Sequence, residues 1–519
     1  MTELGRRGFV LGAAGTLFVG TLALAGCTPT SRPTAPPSSL TPVGPTDWAA
    51  LKQAISGSLL LPSDQEFATV KLTENPRFDA AEPLAILRVA SAADVSVALA
   101  FARKYRLPVA LRAGGHSYPG WSAGGAAGSG VPASFVISTA SLDAIALSAD
   151  GSSVVVGAGA SLAAVYDAVG SRGRAIAGGS CATVGITGLT LGGGVGVLVR
   201  SFGLACDQLT EVEMVTADGV VHTANASSDT ELFWASRGGG GGILGVVTKL
   251  TFATQAAPTV TEWHYSFPFA AAAAVIGNWQ AWAPNSDARN WSTLKLLGGK
   301  AKHPGGPSVG VSGTWTGPAT ELASQLAPLL NGLPAPLAHS SVTRSYHDSM
   351  MDYAGCLGLP IAQCTTGPGG TLARESSSGT SSIGYTSLDA AGINTLLAQV
   401  QGAQGVAGIR EGGISMDALG GKVATLTPDA TAFSHRAALW TVQYTGTFPD
   451  GADPAPIDAY VRGFRAAMTP HWGDHAYVNY ADGSLADPGT AYWGDNLPRL
   501  ASIKKKYDPS GFFTQPQSY

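Results

Sequence analysis

Two glycine-rich segments, far apart in the sequence, limit most strongly what this chain can fold into. The first, Leu111-Arg112-Ala113-Gly114-Gly115-His116-Ser117-Tyr118, brings two glycines and an imidazole to the end of an apolar run. The second runs from Gly178-Gly179-Ser180-Cys181 through Val184-Gly185 and Gly188 to Gly192-Gly193-Gly194-Val195-Gly196. Bare glycines let backbone N–H groups approach a ligand or another stretch of backbone. Such N–H groups suit a pyrophosphate, to which Arg112 would add positive charge. A Walker-type phosphate loop is excluded, because no Gly-Lys-Ser/Thr follows. Taken singly, each segment has a plainer reading, with His116 capping a turn and Cys181 an inert buried thiol.

Around these segments the pattern is that of an α+β protein. The spacing predicts a helix from Asp47, as N-cap, to Ile55, a strand at Ala85–Val89, a helix at Ala92–Tyr105 and a strand at Pro108–Arg112. Further strands are expected at 135–137, 153–156, 211–216 and 245–252, with Asp150-Gly151 and Asp218-Gly219 as turns. Composition shifts near Ala256-Ala257-Pro258. Beyond it, strands such as 259–267 and 438–445 alternate with Ala/Leu-rich helices such as 320–330. That predicts an antiparallel sheet covered by helices.

The first 27 residues read as an address. Arg6-Arg7-Gly8-Phe9 resembles a twin-arginine export signal, and Leu24-Ala25-Gly26-Cys27 resembles a lipobox that would place a lipid on Cys27. Cleavage of a plain signal peptide near Ala25 is the alternative. Residues 28–45 are rich in Pro, Ser and Thr and read as a tether. The protein is therefore expected outside the cytoplasm, touching membrane only through Cys27. The charge balance is 31 Lys+Arg against 35 Asp+Glu, without a basic tract interleaved with aromatics. A nucleic-acid partner is thus not expected. No metal site is expected, and nothing points to an obligate complex, so a monomer or weak oligomer is the expectation.

The two glycine segments together resemble the berberine bridge enzyme-like branch of the vanillyl-alcohol oxidase superfamily. Its marks are a histidine in Arg-x-Gly-Gly-His and a cysteine in Gly-x-Cys-x-x-Val-Gly-x-x-Gly. Two further matches follow in order: Leu232-Phe233-Trp234-Ala235-Ser236-Arg237-Gly238, running on into Gly245-Val246-Val247-Thr248, and Tyr477-Val478-Asn479-Tyr480. The resemblance implies a PCMH-type FAD-binding domain built from residues 46–255 and 456–519, enclosing a substrate domain at 256–455. It implies FAD held bicovalently by His116 and Cys181. It also assigns Arg112, Gly114, Gly115, Ser117, Gly185, Gly188, Gly192, Gly193, Val247, Tyr477 and Asn479 to the cofactor, with Val184 gating dioxygen. Tyr480 becomes the catalytic base, with Gln443 bonding it. A free tyrosine has a pKa near ~10, so this role demands neighbours that lower it.

What the resemblance implies is an oxidase that passes hydride from an alcohol or hemiacetal carbon, sugar-like, to flavin and reduces dioxygen to hydrogen peroxide. The alternatives are a secondary-metabolite oxidase, a quinone- or dye-linked dehydrogenase, and a surface-anchored flavin-binding protein without turnover. Tyr118 and Trp121 either line the pocket or pack. Cys356 and Cys364 pair or remain free, and Cys206 is expected to be buried. His435, His471 and His475 read as surface residues.

Overall fold

The computed structural model describes residues 42–519. The export signal, Cys27 and nearly all of the tether lie outside the described residues. The tether's last residue, Pro45, already opens a helix, Pro45–Ala54. Asp47 is not its N-cap. It stands within the first turn and reaches back, its Oδ2 accepting the Gly44 N–H at 2.9 Å. Proline at the first helical position has no N–H to leave unpaired, which explains the earlier start.

Three large sheets and one two-stranded sheet are formed by the described residues. In the first, strands Ala85–Arg88, Phe135–Ser138 and Val109–Arg112 are parallel neighbours, and Ser58–Leu60 adds antiparallel at the edge. The crossover helix Ala92–Tyr105 starts at Ser91, whose hydroxyl accepts the Asp94 N–H. Asp94 in turn accepts the N–H groups of Ser56, Gly57 and Ala90, fastening the strand edge to the helix. The second sheet is antiparallel, in the order Ile145–Leu147, Ser153–Gly157, Gly245–Ala253, Leu209–Thr216, Val221–Asn225. The first glycine segment leaves the end of Val109–Arg112, and the second follows Arg174–Ala175, which pairs with Gln255–Ala256 in a separate two-stranded sheet.

The third sheet has seven antiparallel strands, ordered Ala338–Ser345, Thr259–Phe267, Ser308–Trp315, Asn290–Gly298, Glu411–Ala418, Trp440–Phe448, Ser376–Gly384. Its central strands alternate. Leu294, Leu296, Val309, Val311, Ile414 and Met416 point to one face and bury against helices in a common apolar cluster. The opposite face is mostly polar, with Trp291 and Ile383 packing into a different apolar cluster.

One boundary differs from expectation. Helix Ala455–Trp472 does not return to the first two sheets. Its apolar stripe, Ile457, Val461, Phe464 and Met468, packs in the cluster of the seven-stranded sheet. Those residues recur at the three- and four-residue steps of one helix face. The return begins near Ala476, where Ala476 and Tyr477 join the larger cluster beneath the glycine loops. Cys356 and Cys364 are disulfide-bonded, and Cys206 is buried. Among the described residues no helix is long and apolar enough to cross a membrane.

Candidate functional site

A cavity of about 440 Å³ separates the glycine loops from the polar face of the seven-stranded sheet. The loops form its floor because they lie backbone against backbone. A Cβ on Gly114 would come within 2.2 Å of the Gly185 nitrogen, and one on Gly185 within 2.5 Å of the Gly114 nitrogen. Only glycine permits that approach. Gly115 adds a positive φ of 74°, which turns the chain so that His116 faces the cavity. Gly188, also on the floor, is exposed and a Cβ there would meet nothing within 4 Å. The bare position leaves free space.

His116 and Cys181 both line this cavity. The Nε2 of His116 shares a hydrogen bond of 2.9 Å with the Thr183 hydroxyl. No other side-chain partner is found among the described residues, so Nδ1 is open. Burial pushes the imidazole down to about 4, so the ring is neutral and keeps a lone pair at ordinary pH. Cys181 is reached by solvent from the cavity. Its surroundings still raise the thiol, chiefly by burial and then by Glu74, while Lys295 across the cavity pulls it back.

Val184, Val247, Ser117, Asn479 and Tyr480 also line the site. Ser117 uses its Oγ to accept the Trp121 N–H, closing the turn after His116. Arg112 reaches the cavity but does not offer its charge to it. Its guanidinium donates to the carbonyls of Val70, Ser122 and Ala123, at 2.9, 2.8 and 3.3 Å, and so fastens the loop. Burial without an anion pushes it down to about 10.

Three residues assigned to the cofactor stand behind the wall. Gly192, Gly193 and Tyr477 are absent from the lining. Gly192 is bare because a Cβ there would strike the Asn479 carboxamide oxygen at 2.0 Å. A Cβ on Gly193 would press on the ring of Phe433 at 3.0 Å. The Tyr477 hydroxyl accepts the N–H groups of Gly194 and Val195 at 2.9 and 3.2 Å, and the Asn479 amide at 2.8 Å. Tyr477 is thus a peg under the glycine loop.

Gln443 does not bond Tyr480. Its Nε2 donates to the hydroxyl of Tyr118, and the Tyr118 ring stacks on Tyr480 at 5.4 Å between centroids, 15° from parallel. The environment of Tyr480 opposes its ionisation. Burial, followed by the negative charge of Asp417, pushes its hydroxyl well above 10. Asp417 is a residue that sequence reasoning missed. It lines the cavity, and burial raises its carboxyl above the usual range, opposed by the neighbouring Thr293 hydroxyl and by the charge of Lys295. Thr293, Lys295, Ser312 and Ser415 complete this polar wall. The signal available was alternation: Ser415 and Asp417 interleave with Ile414 and Met416.

Comparison with known proteins agrees with this geometry. A family model described as an FAD binding domain matches residues 83–225, and one described as berberine and berberine like matches 476–518. The uncharacterized FAD-linked oxidoreductase YgaK of Bacillus subtilis (strain 168) is 30% identical over 430 residues, 82% of this chain and 88% of that protein. The chain belongs to the berberine-bridge-like FAD-linked oxidoreductases. A carbohydrate oxidase of Microdochium nivale is 27% identical over 84% of this chain and 87% of its own length. The solved structure of Physcomitrella patens BBE-like 1 superimposes with a TM-score of 0.80 at 27% identity, covering 91% of this chain and 98% of that one. The fold is therefore that of the berberine-bridge-like enzymes, with FAD as cofactor. The touching glycine loops, the open floor at Gly188 and the neutral imidazole at its edge fit that cofactor.

One histidine of this FAD-linked oxidoreductase is a correction. His435 is not on the surface. It is 3% exposed, its Nδ1 lies 2.7 Å from the Tyr385 hydroxyl, and its Nε2 is buried without a partner. Burial, with His475 beside it, pushes it down to about 4. The folded protein therefore holds it neutral while the unfolded chain, near 6.5, binds a proton. Stability contributed by the neutral ring is complete above pH 6.5 and is lost as pH falls toward 4. Thermal melts across this window should show His435→Gln losing roughly 3 kcal/mol less than wild type, with the comparable share of His116 remaining in both. Parallel pH curves for the two proteins would refute the assignment.

Proposed function

We propose that this protein is an exported oxidase that holds FAD through both His116 and Cys181 and oxidises the anomeric carbon of a saccharide. The observation that carries the reading is one cavity with two unlike walls. One wall presents a neutral imidazole and an accessible thiol. The other presents hydroxyl, amide and carboxyl groups on a rigid sheet, the kind of wall that recognises a substrate through its hydroxyl groups. The name of the Microdochium carbohydrate oxidase supports the same substrate class.

The chemistry that bound FAD supplies is acceptance of a hydride and its return, as an electron pair, to dioxygen with formation of hydrogen peroxide. The protein's own task is the remaining proton. The anomeric carbon loses a hydride and its hydroxyl loses a proton, leaving a lactone. Asp417 is the lining group whose raised carboxyl suits proton acceptance. Tyr480, too basic to be ionised, orients the hydroxyl and is braced by Tyr118 and Gln443. Val184, a small side chain on the floor, leaves dioxygen a way in. The twin-arginine and lipobox segments support a role outside the cytoplasm, since a protein exported folded carries its cofactor along.

The test is a denaturing gel viewed for flavin fluorescence, peptide mass mapping, and a peroxide screen with mono- and oligosaccharides. Flavin mass on the peptides of both His116 and Cys181, with peroxide from a saccharide, is the expected result. Flavin that washes away would overturn the bicovalent attachment. An enzyme whose flavin is bleached by dithionite but by no saccharide would overturn the substrate class.

A further inference from the structure

Lys295 stands on the polar wall without a partner. It is exposed to the cavity, and no carboxylate lies within salt-bridge distance of its ammonium among the described residues. The cavity's other permanent cation, Arg112, is spent on backbone carbonyls. The register explains why the ammonium is free. Along its row, Lys295 faces Gly310 on one side and Ser415 on the other, and Ser266 lies beyond Gly310. Small residues on both flanks keep open the space around the lysine head.

The adjoining row, two residues along the strand or about 7 Å away, reads His264, Ser312, Thr293, Asp417. The reacting hydroxyl belongs on that row, at Asp417. A ligand with its reacting end there therefore carries to Lys295 whatever lies about one sugar ring further on. Near Lys295 the available groups are the Ser415 and Ser312 hydroxyls and the His264 ring, so the corner is rich in donors. The ammonium makes no ion pair with Asp417 or any other carboxylate among the described residues, so it is free to pair with one carboxylate of a ligand. A dianion such as phosphate would remain uncompensated next to Asp417, and a lysine offers a point charge rather than the fork that grips phosphate.

We infer that Lys295 selects a carboxylate-bearing saccharide, one with a uronic acid unit, by pairing with the carboxylate while the anomeric hydroxyl meets Asp417. This rests on the saccharide reading above and adds the charge of the substrate.

The probes are glucuronosyl-(1→4)-glucose, whose single carboxylate lies one ring away from the anomeric carbon, and its neutral methyl ester, assayed with the flavin-loaded enzyme by stopped-flow flavin bleaching and by peroxide release. Wild type should show a KM for the acid at least ~10-fold below that for the ester. Raising ionic strength should erode that preference by raising the KM of the acid alone. In K295M the preference should collapse to within ~2-fold, and in K295R it should survive in part. Equal KM values for acid and ester in wild type would overturn the inference. So would a preference that K295M leaves intact. Bleaching by neutral cellobiose with neither glucuronosyl-glucose nor its ester reacting would overturn it while leaving the saccharide oxidase reading standing. Bleaching by dithionite and by no saccharide would remove both.

Discussion

Asp417→Asn is expected to slow reduction of the flavin by saccharide by ~10³-fold or more, whereas Tyr480→Phe should cost only ~10- to 100-fold. A base must be free of its proton at the working pH and still want it. Tyr480 fails the first condition, because burial and then Asp417 hold its hydroxyl far above 10. Its stacking partner Tyr118 is pushed up as well, mainly by burial. The carboxyl of Asp417 meets both conditions. It is raised by burial, so its proton affinity is higher than that of an ordinary carboxylate, while Thr293 and Lys295 keep the ionised form accessible. The raised direction fixes the sign of the pH profile. The reduction rate should climb as pH rises through the Asp417 pKa, above the usual carboxylate range, and reach a plateau once the group is ionised. Anaerobic stopped-flow bleaching measures this directly, separate from reaction with oxygen. Asp417→Asn should flatten the climb, and Tyr480→Phe should keep it at a lower plateau. A Tyr480→Phe variant that loses all pH dependence while Asp417→Asn stays fast would return the role of base to the tyrosine.

The glycine floor of the cavity was legible in the sequence, and its polar wall was not, for a physical reason. Glycine marks backbone that comes too close for a side chain, and that demand survives in the sequence wherever the contact occurs. Gly114 and Gly185 touch each other across two distant segments, and both could be read beforehand. The same logic misled at Gly192 and Gly193. They are bare because of Asn479 and Phe433, which press from behind the wall. A glycine reports a close neighbour without saying whether it is ligand or protein. On the polar wall, Thr293, Lys295, Ser312, Ser415 and Asp417 are ordinary polar members of alternating strands. They meet only because the sheet order is non-sequential, with strand 290–298 set between 308–315 and 411–418. Strand alternation predicts which residues share a face, but not which strands become neighbours. His435 was misread for a related reason. A histidine beside an arginine looks like surface, yet Arg436 is buried with it in an ion pair that begins 229 residues earlier at Asp207.

That ion pair carries the other large effect. Arg436 is 1% exposed, and Asp207 grips it with both carboxylate oxygens at 2.7 and 2.8 Å, Thr431 adding an acceptor at 2.6 Å. The same carboxylate accepts the Leu204 N–H at 2.9 Å, which shapes the turn 204–207. That turn holds the glycine loop, because the N–H groups of Ala205 and Cys206 donate to the carbonyls of Gly194 and Gly193. Removing Asp207 would leave a guanidinium inside the protein with no anion, and a buried pair broken on one side costs about 3–5 kcal/mol. Asp207→Ala should therefore lower the urea midpoint far more than a surface substitution, and the loosened loop should also lower the fraction of protein carrying flavin. Asp207→Asn keeps an acceptor for Leu204 but not the charge, so it should fall between. The decisive comparison is the double variant Asp207→Ala with Arg436→Met. If the damage comes from the stranded charge, removing the guanidinium should restore part of the stability that the single variant loses. If the double variant is as unstable as the two losses added together, the turn at Leu204 is what Asp207 sustains, and the pair with Arg436 contributes little of its own.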